Sequence, residues 1–311
     1  MTTKISGEER LLEDILSLLN SADLPPWRKP WTGHSGNHRN LVTGNDYQGV
    51  NPLLLEMGLM LRNTDIPLWI GGGQAKALSW MPKKGSKAVR ILRPQLNKRD
   101  VVDENGTPVK DENGDNQIAS WVSYKPTCVF NVQDIAGTTE EAEADLKQRI
   151  AAELGLAEAI ETESRVLDAE KHLWQWPVPT SFGGTRACYS STQDRISMPV
   201  AESFESREAF ASTWLHEQCH STGHSSRLDR KLCNSFGSAA YAKEELIAEL
   251  GSVLACYRLK IGYDLPQHAA YMASWAKGLR AGGAKELLKV LSQARQAADL
   301  VAPETLIETN D

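Results

Sequence analysis

The sequence contains no closely spaced pair of cysteines. Its five cysteines are an odd number, lie far apart and include no CxxC motif. Secreted domains that depend on disulfides use an even set of cysteines at short spacings. The cysteine content therefore excludes a disulfide framework and predicts a reduced chain in the cytoplasm.

Long apolar segments are missing as well. The first 20 residues have no apolar core of the kind that a secretory signal requires, and no run of about 18 apolar residues occurs. We therefore expect neither export nor a membrane span. With 311 residues, of which 41% are hydrophobic and 24% charged, the chain can bury a large core and form two domains.

Acidic residues are absent from one long stretch, although the net charge is −6. Between positions 76 and 99 the chain has eight basic residues and no aspartate or glutamate; the basic residues are Lys76, Lys83, Lys84, Lys87, Arg90, Arg93, Lys98 and Arg99. Near or within this stretch lie five aromatic residues and two more cations: Trp27, Arg28, Lys29, Trp31, Tyr47, Trp69 and Trp80. Cations that follow a backbone, with aromatic rings that stack on unpaired bases, are typical of proteins that bind single-stranded nucleic acid.

A second interpretation of these residues stays open. Tryptophans of a small α/β domain often lie in its core, and a basic hairpin can be only a solvated face. The segment PPWRKPW is also compatible with a turn that its prolines stiffen.

The hydrophobic pattern predicts mixed helices and strands. Helices are expected over 7–20 and from Asn51-Pro52 onward, and strands in IPLWIGGG, KAVRILRP and WVSYKPTCVFNVQDI. Two Glu-Asn-Gly turns predict an exposed loop or hairpin over 97–117. The composition then shifts to alanine and acidic residues, which favours a helix. We predict an α+β protein of two domains, 1–137 and 138–311, the second with a short sheet in TRACYSSTQDRISMP and a helical bundle.

The segment WLHEQCHSTGH contains the most specific chemical motif. On a helix, His216 and His220 lie one turn apart on one face, so both imidazoles can bind one metal ion. Glu217 is rotated by about 100° from His216, which places its carboxylate beside the open position of the ion. Glu217 can then act as a general base on a water that the ion has made acidic. The expected ion is zinc (Zn2+) or another divalent metal such as Mn2+.

A catalytic zinc needs a third protein ligand. The spacing HExxHxxGxxH would require a histidine at position 226, where the chain has Ser226, and His224 is two residues short of it. The downstream segment YAKEELIAELGSVL offers acids instead. We predict Glu245 as the ligand and Glu249 as a hydrogen-bond partner of His216, with Glu249 as the alternative ligand. His224 is expected in a supporting or structural role.

Two further interpretations accompany the motif. The preceding segment ACYSSTQDRISMP is a candidate edge strand for an extended peptide, and Arg186 or Tyr189 could assist an oxyanion, although core packing explains the same residues as well. The histidines could also be ordinary helix residues that bind no metal. Alternatively, the metal could serve only to stabilise the fold.

The two halves together resemble the ArdC-type antirestriction proteins of conjugative plasmids and phages, whose N-terminal domain also occurs in some plasmid primases. In the first half the resemblance rests on PWRKPW, RNLVTGNDYQGVNPLLL, KKGSKAVRI and VFNVQDI. In the second half it rests on DRISMP, LHEQCHSTGHSSRLDR, YAKEELIAELGSVL and the tail that begins with YMASWAKGLR. The chain departs from the family in Ser221-Thr222, where an aromatic residue is usual, and in the loop over 97–117.

This resemblance implies a single-stranded DNA-binding domain joined to a zincin-like metallopeptidase domain, which together protect incoming DNA from host restriction. It also implies that His216, Glu217 and His220 form the metal motif and that an acid of EELIAE completes it. Two ways of protecting the DNA stay open. The protein could coat the DNA, or it could act as a peptidase that cuts a host or partner protein and is localised by DNA binding. The expected partners are single-stranded DNA and a protein substrate that the sequence does not identify, and we expect no contact with a membrane.

Overall fold

The structure is a computed structural model that describes residues 6–21, 37–60, 62, 64, 66–104, 106–155, 162–232, 238–262 and 269–304. The elements of the first half are, in chain order, α1 (Gly7–Ser21), β1 (Arg39–Asn40), α2 (Asn51–Met60), β2 (Leu68–Gly71), α3 (Gly72–Ala77), β3 (Trp80–Pro82), β4 (Val89–Asp100), β5 (Ile118–Asn131) and β6 (Ile135–Gly137). Those of the second half are α4 (Glu140–Gly155), α5 (Thr162–Leu173), β7 (Thr180–Phe182), β8 (Cys188–Ser190), β9 (Arg195–Met198), α6 (Arg207–Ser221), α7 (Ala239–Arg258) and α8 (Ala269–Val301). The predicted α+β class is confirmed.

The N-terminal sheet has the strand order β1-β2-β5-β4, with β1 parallel to β2 and the other pairs antiparallel. β4 and β5 form a long hairpin that pairs from Val89 opposite Val129 to Asp100 opposite Ile118. The base of the hairpin packs on the domain, whereas most residues of β4 from Arg93 onward are exposed. The loop or hairpin predicted over 97–117 forms the far end of this hairpin.

A small core lies between the N-terminal strands and α4. Ile70 and Trp80 are fully buried in it, and Leu146 of α4 is 2% exposed. The guanidinium of Arg149, also on α4, lies 5.7 Å from the centre of the Trp80 ring. α4 follows the predicted domain boundary at 137, yet it packs on the first half. The boundary remains a prediction, and this packing supports placing it after α4.

The first helix contributes to a different and larger core. Leu11, Ile15 and Leu19 recur at every fourth position, so they share one face of α1, and each is only 3 to 4% exposed. That face lies in the main core together with α8 and with Leu53 and Met57 of α2. The two halves of the chain therefore share one hydrophobic core.

The helices α6, α7 and α8 form the centre of this core. Ser206 and Ser238 cap α6 and α7, because each side chain accepts a hydrogen bond from the backbone N–H three residues later. α7 passes α6 and α8 closely at Gly251, where a Cβ atom would lie 3.3 Å from the Cys219 sulfur and 3.2 Å from the Ala294 carbonyl oxygen. Cys219 is fully buried in this core, and burial raises the pKa of its thiol to about 12.

A three-stranded sheet precedes α6. Its order is β7-β9-β8, with β7 parallel and β8 antiparallel to the central strand, so the predicted edge-strand segment contains one edge strand, β8. The four described cysteines, Cys128, Cys188, Cys219 and Cys256, are free thiols. No helix in the described part of the chain combines the length and the apolar character that crossing a bilayer requires.

Candidate metal centre

α6 brings the two histidines of the motif together. The Nε2 atoms of His216 and His220 lie 3.1 Å apart, and the two rings are nearly perpendicular at 88°. His216 is 4% exposed, and His220 is only partly accessible. The spacing of one helical turn, predicted from the sequence, thus aims two imidazole nitrogens at one point.

Glu245 of α7 completes the cluster. Its Oε2 atom lies 3.7 Å from the Nε2 atom of each histidine, and one donor atom from each of the three residues falls within 4.8 Å of the others. Glu249, the alternative ligand, has its Oε2 atom 3.9 Å from Nδ1 of His216, on the other side of that ring. The geometry therefore favours Glu245 as the ligand and Glu249 as the residue that orients His216.

The second histidine has a matching carboxylate. Oε1 of Glu244 lies 3.5 Å from Nδ1 of His220, and Glu244 is bound by two nitrogens of Arg230 at 2.7 and 3.0 Å. Arg230 also donates to the Thr222 hydroxyl and to the Cys219 carbonyl, so it links the end of α6 to α7. Glu244 is one of the acids that the segment EELIAE offered, but Arg230 and the pairing of Glu244 with His220 were not predicted.

Negative charge is concentrated around these donors. Glu217, Glu244, Glu245 and Glu249 are buried, with exposures of 7%, 8%, 7% and 0%, and the buried cation among them is Arg230. Burying carboxylates is costly unless cations balance them. A divalent cation at the three-residue cluster would supply this balance.

The same charges shift the pKa values of the cluster. Burial lowers the pKa of His220, but the neighbouring carboxylates of Glu244 and Glu245 outweigh burial and raise it to about 10. Burial raises the pKa of Glu245, yet the two imidazoles beside it hold that pKa well below its usual range. In the same way, His220 and Arg230 lower the pKa of Glu244 against the effect of burial. The site thus stabilises carboxylates in their charged form.

The donor set fits zinc or a similar divalent ion. Two imidazole nitrogens and one carboxylate oxygen, with a coordination position left over, are typical of catalytic zinc sites. Glu217, adjacent to His216 on α6, is buried near this cluster. Its predicted role as general base stays a prediction.

His224 has partners other than the three candidate ligands. It lies beyond the end of α6, where its Nδ1 atom is 2.8 Å from the Ser226 hydroxyl and 3.9 Å from Asp194. These contacts agree with the structural alternative for His224, and its role stays a prediction. α6 ends at Ser221, so the helical spacing that aligns the first two histidines does not extend to the third.

The residues considered for oxyanion assistance have other positions. The Tyr189 hydroxyl donates a hydrogen bond of 2.7 Å to Asp194, and burial together with this bond raises the pKa of Tyr189. Arg227 binds the same carboxylate and lowers the pKa of Asp194. Arg186 is exposed. Tyr189 and Arg227 therefore form a network centred on Asp194, and assistance to an oxyanion by Tyr189 or Arg186 stays a prediction.

Two aromatic residues predicted to bind DNA are core residues instead. Trp69 and Trp80 are 0% exposed, and their indole N–H groups donate to His38 Nδ1 and to the Ala142 carbonyl. Neither ring can stack on a base, so these two predictions are wrong, and the alternative of core packing holds. Tyr47 is half-buried, and burial raises the pKa of its hydroxyl.

The predicted basic residues have mixed positions. Arg90 is paired with Asp14 of α1 at 2.6 Å, so its charge is locally neutralised. The exposed members of the set are Lys76, Lys83, Lys84, Lys87, Arg93, Lys98 and Arg99. Trp27, Arg28, Lys29 and Trp31 lie outside the described residues. Sequence reasoning passed over the exposed aromatic residues Trp121 and Tyr124, although the alternation in β5 could have indicated them.

Comparisons with known families match each half of the chain. The family described as the N-terminal domain of anti-restriction factor ArdC matches residues 7–130, and the family described as a zincin-like metallopeptidase matches residues 167–290. The crystal structures of the antirestriction ArdC protein from plasmid R388, metal-free and Mn(II)-bound, have TM-scores of 0.64 and 0.62 at 27% identity. Each match covers 94% of this chain and 96% of the other.

Curated relatives share most of the chain. Two proteins named DNA primase TraC from Escherichia coli are 33% identical over 280 and 303 residues, which cover 88% and 94% of this chain. The chain spans only 18% and 26% of their lengths. The uncharacterized protein y4eC of Sinorhizobium fredii is 29% identical over 299 residues, with 94% of this chain and 90% of that protein covered. The likeness thus extends over both halves.

Proposed function

The chain is an ArdC-type protein, in which an ArdC N-terminal domain precedes a zincin-like domain, and from this premise we propose that it is an antirestriction protein of a mobile element. In this proposal the N-terminal half binds single-stranded DNA in the cytoplasm and protects incoming DNA from host restriction. The second half holds a divalent ion, zinc or manganese, at His216, His220 and Glu245. The main support for the metal site is that one donor atom from each of these three residues lies within 4.8 Å of the others.

The residues around the donors support a catalytic rather than a purely structural ion. When bound, such an ion supplies Lewis acidity for hydrolysis. Glu249 and Glu244 face the Nδ1 atoms of His216 and His220 at 3.9 and 3.5 Å, so these carboxylates can orient the two rings. Glu217 would accept the proton of the attacking water.

The first form of the proposal is protection by coating the DNA. Changing Glu217 to Ala would then leave protection of a transferred plasmid intact, because the acid takes no part in DNA binding. Changing both Lys83 and Lys84 to Ala would weaken protection, because two exposed cations that contact phosphates are lost. The measurement is plasmid transfer into restricting and non-restricting recipients.

The second form is that of a peptidase that DNA localises, cutting a host or partner protein. Two features favour it: a carboxylate faces the Nδ1 atom of each histidine, and the edge strand β8 can pair with an extended peptide. Here Glu217→Ala would abolish protection while the affinity for single-stranded DNA stays unchanged. The same variant therefore separates the two forms.

Removal of the ion tests the structural alternative. If chelation leaves the fold intact but stops cleavage of a peptide library, the ion is catalytic. If chelation unfolds the chain and the metal-bound protein cleaves no peptide, the ion only stabilises the fold. The peptidase form of the proposal is then excluded.

A further inference from the structure

The β4-β5 hairpin has two chemically different faces. Residues directly opposite each other in an antiparallel pair project to the same side, and the side alternates along each strand. The register places Arg93 opposite Lys125 and Asn97 opposite Trp121, and Arg99 lies two residues beyond Asn97. One side, here called the basic face, therefore carries Arg93, Arg99, Trp121 and Lys125.

The middle of the other side is apolar, whereas Lys98 and Asp100 lie on that side nearer the far end of the hairpin. There Pro94 lies opposite Tyr124, and Leu96 lies opposite Val122. Tyr124 is 45% exposed and Val122 is 53% exposed, while Trp121 on the basic face is 47% exposed. The middle of the hairpin thus projects from the domain with both faces uncovered among the described residues.

Trp121 and Arg99 form a stacked pair on the basic face. The guanidinium carbon of Arg99 lies 5.6 Å from the centre of the Trp121 ring. A guanidinium that stacks on one face of an indole restricts the orientation of the ring. The opposite face of the ring then stays available for an unpaired base. This pair offers the two contacts that a single strand needs, a stacking platform and a cation for the adjoining phosphate.

The cations of the basic face are not neutralised by neighbours. In the described part of the chain no carboxylate forms an ion pair with Arg93, Arg99 or Lys125, in contrast to Arg90, which is bound to Asp14. Along β4, Arg99 lies six positions after Arg93, a distance of about 20 Å at the rise of an extended strand. Their charges can therefore follow the phosphates of several nucleotides.

The far end of the hairpin limits this surface. It carries a group of acids that would repel a phosphate backbone: Asp103, Glu104, Asp111, Glu112 and Asp115. The favourable stretch is thus the middle of the hairpin, between the domain and this acidic end.

We propose that single-stranded DNA binds across the basic face of the β4-β5 hairpin, with one base stacked on Trp121 and phosphates held by Arg93, Arg99 and Lys125. The inference rests on the proposed DNA-binding function, and it assigns that function to a surface distinct from the buried Trp69 and Trp80. Exposed bases select a single strand over a duplex, because a duplex presents no free base face to the indole.

A matched pair of variants tests the face. Trp121→Ala and Tyr124→Ala remove aromatic rings of similar exposure from the same strand, three residues apart and on opposite faces. With the full chain and a fluorescein-labelled oligothymidine, Trp121→Ala is expected to weaken binding about tenfold or more, and Tyr124→Ala less than about twofold. Trp121→Phe keeps a stacking ring and is expected to retain most of the affinity.

The salt dependence supplies a second readout. Arg99→Gln is expected to weaken binding and to reduce the slope of log K against log salt by about 0.7, the value for one phosphate contact on a single strand. If the unmodified protein binds the oligonucleotide and Trp121→Ala and Arg99→Gln bind as tightly, this inference is wrong while the proposed function stands. Equal losses for Trp121→Ala and Tyr124→Ala would also overturn the choice of face. Absence of binding by the unmodified protein would overturn both proposals.

Discussion

At the scale of single residues, the geometry of the proposed metal centre distinguishes Glu245 from Glu249. Glu245 faces the Nε2 atoms of both histidines, whereas Glu249 faces only Nδ1 of His216. Glu245→Gln is therefore expected to abolish stoichiometric metal binding. Glu249→Gln is expected to lower the affinity by about 10-fold to 100-fold, the usual effect of losing a partner behind a ligand. Competition with a zinc-sensitive dye measures both.

The two variants form their own control, because each removes one carboxylate charge from the same helix. Circular dichroism at neutral pH checks that both remain folded. If Glu249→Gln loses the ion and Glu245→Gln keeps it, the assignment of ligand and orienting residue is reversed.

A second residue-scale prediction concerns Asp194. Its pKa is lowered by Arg227, so the folded state binds the proton less readily than the unfolded chain. The stability that this carboxylate provides is present above its unfolded pKa, near 4, and is lost as the pH falls through the lower folded value. Asp194→Asn is expected to lower stability at pH 7 by no more than about 1 kcal/mol, because the pair is partly solvated.

Urea unfolding at several pH values checks this expectation. Asn suits the positive φ of 45° at this position, so the substitution tests the charge rather than the backbone. The difference in the free energy of unfolding between the unmodified protein and Asp194→Asn should disappear in acid. A gap that stays constant from pH 7 to pH 3 would show that the charge of Asp194 contributes nothing.

The spacing of residues along single helices predicted the proposed ligands, but it could not predict contacts between distant segments of the chain. His216, Glu217 and His220 follow from one helical turn, and Glu245 from a second helix. The pairing of Glu244 with Arg230 depends on how the segment after α6 folds back onto α7, which no periodicity records. Trp69 and Trp80 were misassigned because a local list of cations and aromatic residues does not tell an exposed ring from a buried one.

At the scale of elements, the packing of α6, α7 and α8 depends on Gly251. Its missing side chain lets Cys219 of α6 and Ala294 of α8 approach to within 3.3 Å of the Cβ position. Gly251→Ala is expected to destabilise the chain by about 1 to 3 kcal/mol, because neither neighbour can withdraw without moving a helix. The change lies two residues from Glu249, so weaker metal binding should accompany it.

Gly278 of α8 is the matched control, because nothing lies within 4 Å of its Cβ position. Gly278→Ala is expected to leave stability unchanged or raise it by about 0.5 to 1 kcal/mol. Thermal unfolding measures both variants. Equal effects at the two glycines would contradict the close helix contact.

Most elements could be predicted, because each has its own periodicity or turn residues. The helices over 7–20 and after Asn51 and the strands in LWIGGG and AVRILRP agree with the sequence pattern. The length of the β4-β5 hairpin was not predicted, since its register depends on pairing across 17 intervening residues from Asp100 to Ile118. The basic face exists only once that register is known.

At the scale of the whole molecule, the two halves share one core. Leu11 and Ile15 of α1 pack with the helices that carry the proposed metal ligands. The His38 backbone N–H also donates to the Tyr257 hydroxyl, which lies on the same helix as Glu245. We therefore expect one cooperative unfolding transition, in which loss of tryptophan fluorescence coincides with release of the ion. Two separated transitions would contradict the shared core.

The most direct measurement is anomalous diffraction from crystals of the full chain loaded with zinc or manganese. The account predicts one ion at full occupancy, about 2.0 to 2.2 Å from Nε2 of His216, Nε2 of His220 and a carboxylate oxygen of Glu245, with Glu217 facing its open side. An ion bound instead through Glu249, or no anomalous peak between α6 and α7, would contradict it.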